Sequence, residues 1–335
     1  MTAKTRYFLF GSALIFVVGL SIGVVAYYGG MPQSLFRSGT GPAELGYVPA
    51  DATVVAYANV RDVMNSELRQ RLRTLGGVTD EGRNEFKTET GIDIEQDIDE
   101  VVAWMGAKTS SGVENGMMIA RGRFDQIRLE AVAREKGARI EQYHGKSLIQ
   151  GPVEHAEAGH HGRSEMAVAF IEPGVVALGT QSQVKQAIDR PVGKNSITSN
   201  GDMMARVAKM ADASFWAVGR FDAISSQAKL PEEVTGRIPP ITWFSASGHV
   251  NGGIRAVVEA EAKDEEGANN LRDIIRGFTA LAKMQAGNRP EAKALWPNVE
   301  LGGDGSKVVS VSFAVSTQLF DAMTARGHAP KKLPK

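Results

Sequence analysis

Residues 50–60 read ADATVVAYANV, and residues 211–221 read ADASFWAVGRF. Aligned without gaps, the two stretches share four of eleven positions, and a fifth pairs Thr53 with Ser214. Each is an apolar run rich in residues that favour strands, preceded by a polar turn. We interpret the match as an internal duplication. The alternative is that both stretches obey the same preferences for starting a strand.

The elements predicted after each stretch follow one order: strand, helix, hairpin, helix, hairpin, helix. Turn residues that tolerate positive φ mark four of the hairpins. These predicted turns lie at 144–145, 172–174, 251–253 and 303–305. Hairpins pair antiparallel, and helices are needed to cover an apolar sheet face. The sequence therefore predicts an α+β fold of two similar units, residues 47–195 and 196–325, with helices packed on antiparallel hairpins.

The N-terminal region carries a long apolar segment. Residues 7–28 contain no charged side chain. As a helix they would span about 33 Å, enough to cross a bilayer. This predicts one transmembrane helix, followed by a flexible tether over residues 29–46 that is rich in Gly, Pro and Ser. A cleaved signal peptide ending near Ala26 is the alternative, although its apolar core is usually shorter.

The charges flanking this segment predict its orientation. Lys4 and Arg6 precede it, and Arg37 is the one basic residue between it and Arg61. The positive-inside rule then places residues 1–6 in the cytoplasm and the rest of the chain outside. We expect a single-pass membrane protein with an extracytoplasmic ectodomain. Residues 326–335 read as a basic, solvated tail.

Composition excludes several classes of function. The formal net charge is zero and the chain has no cysteine. Without net positive charge or a binding motif, no nucleic-acid partner is expected. Without cysteine there is no disulfide, thiolate nucleophile or Cys-ligated zinc.

Two segments carry a resemblance. They are LGYVPADATVVAYANVRDVM at 45–64 and TGIDIEQDIDEVVAWMG at 90–106. The chain resembles uncharacterised bacterial families of single-pass, membrane-anchored extracytoplasmic proteins whose ectodomains open with a Pro-Ala-Asp-Ala strand. The resemblance covers most of residues 45–325. It implies the location, which is the bacterial inner membrane with a periplasmic ectodomain, and it implies the fold. It brings no assigned activity and no site residue.

One short motif suggests acyl transfer. Ser182 and Lys185 match the S-x-x-K pattern, in which a lysine one turn from a serine helps to activate its hydroxyl. The accompanying motifs are poor, because Lys108-Thr109-Ser110 precedes the serine and Ser199-Asn200 lacks the full S-D-N. The alternative is structural, with Thr180 or Ser182 capping a helix.

A second candidate is a His-rich loop. Its imidazoles and carboxylates are ligand types that suit zinc. They are His144, His155, His160, His161, Glu154, Glu157 and Glu165. No H-E-x-x-H spacing fixes these ligands in advance, so a solvated loop is the default interpretation.

Two oppositely charged segments complete the candidates. The acidic run holds Asp93, Glu95, Asp97, Asp99 and Glu100, which are calcium-type ligands, but no EF-hand frame fits. A capping box at Asp97–Glu100 is the structural alternative. The first ectodomain helix carries Arg61, Arg69, Arg71 and Arg73. That basic face would meet anionic lipid or a cell-wall polymer, or simply face solvent.

The sequence therefore predicts a membrane-anchored binding or scaffold protein of the cell envelope. No catalytic, cofactor-binding or metal-binding residue is assigned, and no cofactor is expected. The expected partners are membrane lipid through residues 7–28 and an envelope protein or polymer. The alternatives are an envelope hydrolase or acyl-transfer enzyme using Ser182 and Lys185, and a metal-responsive ectodomain using the His-rich loop. The oligomeric state stays open.

Overall fold

A computed structural model provides the fold of the chain. It describes residues 41–67, 69, 84, 87–88, 90–106, 115–151, 166–190, 193–221, 239–250, 252–286, 299–303 and 305–317. All structural statements below refer to these residues.

The described chain is built around one antiparallel sheet of twelve strands. Its strands are β1 (Val54–Ala58), β2 (Ile98–Met105), β3 (Gly116–Gly122), β4 (Arg139–Tyr143), β5 (Lys146–Gln150), β6 (Met166–Glu172), β7 (Val175–Thr180), β8 (Phe215–Arg220), β9 (Ile241–Val250), β10 (Gly253–Ala262), β11 (Val299–Gly302) and β12 (Val308–Ser316).

The two similar stretches, residues 50–60 and 211–221, contain β1 and β8, which lie side by side near the middle of the sheet. They pair antiparallel with Ala56 opposite Ala217 and Tyr57 opposite Trp216. From this junction the order runs β2-β3-β7-β6-β5-β4 on one side and β9-β10-β12-β11 on the other. On the β1 side the β2–β3 hairpin comes first, and β7 pairs beside it. On the β8 side the β9–β10 hairpin comes first, and β12 pairs beside it. The β4–β5 hairpin has no described counterpart on the β8 side.

Six helices and two 3-10 turns are described. The helices are α1 (Val60–Asn65), α2 (Ile94–Asp97), α3 (Gln126–Glu135), α4 (Gln181–Asp189), α5 (Gly201–Ala208) and α6 (Glu265–Ala286), and the 3-10 turns are Ala43–Tyr47 and Ile197–Ser199. Side-chain oxygens cap several N-termini, as Asp125 does for α3 and Asn200 for α5. Asp264 accepts from the Gly267 amide at 2.8 Å and so caps α6.

The largest core cluster lies on one face of the sheet and draws on both predicted units. Val55 and Val102 from the first unit share it with Trp216 and Val218 from the second. Val184 of α4 and Met203 and Val207 of α5 join the same cluster. The opposite face carries a smaller cluster around Ala56, Ala103 and Ala217. Because β1 and β8 are buried on both faces, they have the character of central strands.

The predicted fold class is therefore wrong. Instead of two α+β units, the described chain forms one large antiparallel sheet with few helices. The physical reason is the β1–β8 pairing, which satisfies the backbone edge that each separate unit would leave open. The backbone near the predicted boundary also crosses it, since Ile197 donates to Val48 and Ser196 forms an isolated β-bridge with Pro49.

The predicted transmembrane helix, residues 7–28, lies outside the described residues, as does the basic tail 326–335. Among the described helices, none combines the length and apolar character needed to cross a bilayer. The last part of the predicted tether belongs to the folded body, since Ala43–Tyr47 forms a 3-10 turn with Glu44 and Leu45 fully buried.

Hairpin positions agree with the sequence prediction. Tyr143 pairs with Lys146 around the turn at 144–145, and Glu172 pairs with Val175 around the turn at 172–174. His144 has a φ of 46°, and Gly145 and Gly174 also have positive φ. These turns are confirmed because their chemistry is local.

Candidate functional site

The acidic run and the basic helix, considered separately in the sequence, are brought together by the fold. Arg61 and Arg69 form ion pairs with Asp99 and Glu95. Lys87 pairs with Asp93 at 2.7 Å. These acidic side chains are therefore held by protein cations rather than left available for calcium. Arg71 and Arg73 lie outside the described residues.

The capping box predicted at Asp97–Glu100 is wrong. Asp93 is the N-cap of α2 and accepts from the Glu95 amide at 3.1 Å, while Asp97 is the last residue of that helix. Asp97 reaches back to accept from the Asp93 amide at 2.8 Å. The cap lies four residues earlier because α2 is a single turn leading directly into β2.

A buried polar group lies where the 3-10 turn Ala43–Tyr47 crosses β2 and β3. Arg121 forms an ion pair with Glu44, whose side chain is 0% exposed, and lies 3.7 Å from Glu100. Tyr57 donates to Glu100 at 3.1 Å. Burial, reinforced by nearby Glu172, raises the pKa of Tyr47 far above its usual range. This group ties the 3-10 turn to the sheet.

The acyl-transfer candidates fall on α4. Ser182 lies in its first turn and has its hydroxyl 3.2 Å from that of Thr180. Lys185 donates to Glu141 of β4 at 3.2 Å and lies 4.9 Å from the centre of the Tyr143 ring. The hydrogen bond from Lys185 lowers the pKa of Glu141. The lysine is thus engaged with β4, and no described contact joins it to Ser182. The enzyme hypothesis stays a prediction.

One of the predicted metal ligands, His144, also lies beside Tyr143. His144 contacts Asp189 at 2.9 Å through Nδ1 and stacks on Tyr143 with ring centroids 4.4 Å apart. Tyr143 donates to the other oxygen of Asp189 at 2.7 Å, which raises the pKa of the phenol. The rest of the His-rich loop lies outside the described residues. Within the described ranges, no cluster of three or more His, Asp or Glu side chains is arranged to hold a metal ion.

A cleft of about 500 Å³ opens between α3 and the ends of β3 and α2. Its walls include Gly91, Ile92, Arg123, Phe124, Arg128 and Leu129. Gly122 at the cleft lies so close to the Asp97 carbonyl that a Cβ there would collide with it. We call this space the α3 cleft.

An exposed apolar stripe lies on the C-terminal half of α6. The first half of α6 packs on the sheet through Ala268, Leu271 and Ile275. Beyond it, Phe278, Leu281 and Met284 are 69%, 54% and 76% exposed. Three-residue intervals keep these side chains on one side of the helix. We call them the α6 stripe.

Sequence reasoning missed both the cleft and the stripe. The helical period of α6 does not separate its packed residues from its exposed ones, because a period alone does not tell where the sheet beneath the helix ends. Nothing in the sequence signals the cleft, because it forms between segments distant along the chain.

Comparisons with known proteins identify no family. No protein-family model and no curated protein matches the chain. Among solved structures, crystal form I of TP0453 is similar at 12% sequence identity, with 88% of this chain and 100% of that chain covered and a TM-score of 0.44. A similarity this weak carries no argument about function. The resemblance to uncharacterised envelope families stays a prediction.

Proposed function

We propose that the protein is an extracytoplasmic binding or scaffold protein of the bacterial cell envelope. Residues 7–28 attach it to the inner membrane, with residues 1–6 in the cytoplasm and the sheet outside. The uncharged run and the basic residues before it, Lys4 and Arg6, support this location.

The observation that carries the binding role is the α6 stripe. Single exposed apolar residues are ordinary on a protein surface, but a row of three large ones on a helix is typical of an interaction site. Phe278, Leu281 and Met284 all have more than half of their surface exposed. A partner that covered these three side chains would bury apolar surface that the sheet leaves exposed.

Exposed charges of both signs on α6 favour a protein partner over an anionic lipid surface. Asp273 and Arg276 pair with each other at 3.0 Å on the same helix. Anionic lipid would instead select a predominantly basic rim. The partner that fits is therefore an amphipathic helix of another envelope protein, laid with its apolar side along α6.

Photo-crosslinking in native membranes tests this proposal. A benzophenone amino acid would replace Met284 in the full-length protein. The matched control places it at Ile127, which is 83% exposed on α3 but lies outside the stripe. We expect one reproducible protein adduct from position 284 and none from position 127. The adduct should disappear when Phe278→Ser is added, because that change removes part of the apolar contact.

Three results would contradict the proposal. Crosslinking to lipid would mean that the stripe lies on the bilayer. Adducts between two copies of the chain would mean that it mediates self-association. Equal crosslinking from positions 284 and 127 would mean that the stripe has no specific partner.

A further inference from the structure

The α3 cleft has the size of a small-molecule site. Its volume of about 500 Å³ lies within the roughly 300–1,000 Å³ range common for ligand pockets. The cleft is formed by the loop before α2, the segment linking β3 to α3, the first turns of α3, and the β6–β7 turn at Gly174. It is distinct from the α6 stripe, which lies on another helix.

The carboxylates lining the cleft already have partners. Asp125 accepts from the Arg128 amide at 3.0 Å and so caps α3. Asp97 accepts from the Asp93 amide at 2.8 Å. Both are therefore engaged in holding the local backbone.

The arginines lining the cleft are less engaged. Arg123 forms two long ion pairs, with Asp97 at 3.9 Å and Asp99 at 3.6 Å, and neither is close enough for a hydrogen bond. Across the described ranges, Arg128 forms no ion pair. Its guanidinium lies against Gly91, where a Cβ would collide with it. That glycine lets the guanidinium lie at the wall of the cleft.

Apolar side chains stand beside these two cations. Ile92, Phe124 and Leu129 line the same cleft, and Phe124 also packs on the core beneath it. Guanidinium groups recognise carboxylate and phosphate oxygens through paired hydrogen bonds. We propose that the α3 cleft binds a small amphiphilic anion, with its acidic group on Arg123 and Arg128 and its apolar body against Phe124 and Leu129.

The probe for this site is 3-phenylpropionate, and its neutral analogue is 3-phenylpropanamide. The full chain would be reconstituted in lipid nanodiscs and titrated by saturation-transfer NMR. We expect saturable binding of the acid that weakens about tenfold or more in Arg128→Gln, because a charge-assisted hydrogen bond is lost. Arg123→Gln should weaken binding in the same direction. The amide should bind weakly and equally to wild type and Arg128→Gln.

The matched control is Arg134→Gln. Arg134 lies on α3 but pairs with Glu130 at 3.0 Å and does not line the cleft. This variant should bind the acid as wild type does, and unchanged circular dichroism would show that all variants are folded. The proposal is overturned if the acid fails to saturate, if acid and amide bind alike, or if Arg128→Gln matches Arg134→Gln.

A second arm identifies the source of the anion. Nanodiscs of phosphatidylcholine alone would be compared with nanodiscs that also contain phosphatidylglycerol. Weaker probe binding in the second set assigns the cleft to an anionic lipid headgroup, whereas equal binding assigns it to a free molecule. Either result supports an anion site. Failure of this proposal would leave the crosslinking test of the α6 stripe unaffected.

Discussion

Replacing Trp216 with alanine should destabilise both halves of the sheet together. Trp216 lies on β8 at the junction with β1, is 1% exposed, and stacks on Tyr57 with ring centroids 5.6 Å apart. A buried Trp→Ala change costs about 3–5 kcal/mol through lost burial and cavity formation. Loss of the aromatic pair adds about 1 kcal/mol. We expect the free energy of unfolding to fall by about 4–6 kcal/mol.

Urea unfolding followed by circular dichroism measures this change in the full-length protein. The matched control is Trp243→Ala in β9, whose half-buried ring lies 4.1 Å from the Arg206 guanidinium. We expect it to cost about 1–2 kcal/mol, because a partly exposed ring loses less burial and one cation–π contact.

Hydrogen exchange shows whether the loss of stability in Trp216→Ala extends across the β1–β8 junction. The amides of β2, which lie on the β1 side of the sheet, should exchange faster in Trp216→Ala, together with those of β9. Faster exchange in β9 with no change in β2 would refute the reasoning, because it would mean that the two halves unfold independently.

Three further predictions concern the Arg121–Glu44 ion pair, the Glu130 carboxylate and the motif of Ser182 and Lys185. Arg121→Met should lower the free energy of unfolding by about 2 kcal/mol. This is less than the loss expected for a fully buried ion pair, because Arg121 is 36% exposed. Adding Glu44→Gln should restore part of the lost stability in the same urea titration. Glu130→Gln should destabilise the protein at neutral pH. A hydrogen bond from Gln126 and other contacts lower the Glu130 pKa, so this carboxylate stabilises the fold above its unfolded pKa of about 4.3, and the difference between variant and wild type should vanish as pH falls through the folded pKa. If the S-x-x-K hypothesis holds, an acylating probe should label the wild type and fail to label Ser182→Ala or Lys185→Ala; absence of labelling in the wild type removes that hypothesis.

Local features of the fold could be predicted from the sequence. The hairpin turns at 144–145 and 172–174 were placed correctly, because glycine, proline and positive-φ residues act within a few positions. The partner of β1 could not be predicted. Its pairing with β8 joins strands about 160 residues apart in the sequence, and no local pattern encodes which strand fills an open sheet edge.

Contacts between candidate residues were also hard to predict, because they join segments that are distant in the sequence. The acidic run and the basic segment were each recognised, but their mutual ion pairs depend on the fold, which places Arg61 of α1 beside Asp99 of β2, and Arg69 beside Glu95 of α2. Lys185 and His144 were proposed for different chemistries, and the fold places both beside Tyr143. The residue types were visible in the sequence, while their neighbours were set by tertiary packing.

A cross-strand disulfide tests the β1–β8 junction most directly. The chain has no cysteine, so Ala56→Cys with Ala217→Cys would form the one possible bridge. Because these residues lie directly opposite each other, their Cα atoms fall within the roughly 4.4–6.8 Å range that a disulfide requires. The control is Ala56→Cys with Ala246→Cys, since Ala246 lies opposite Ala217 on the next strand, β9.

Mass spectrometry after mild oxidation of the refolded variants would measure the bridge. We predict complete bridging of 56 to 217 and none of 56 to 246. Failure of the first pair to bridge, or equal bridging of both, would contradict the single twelve-stranded sheet.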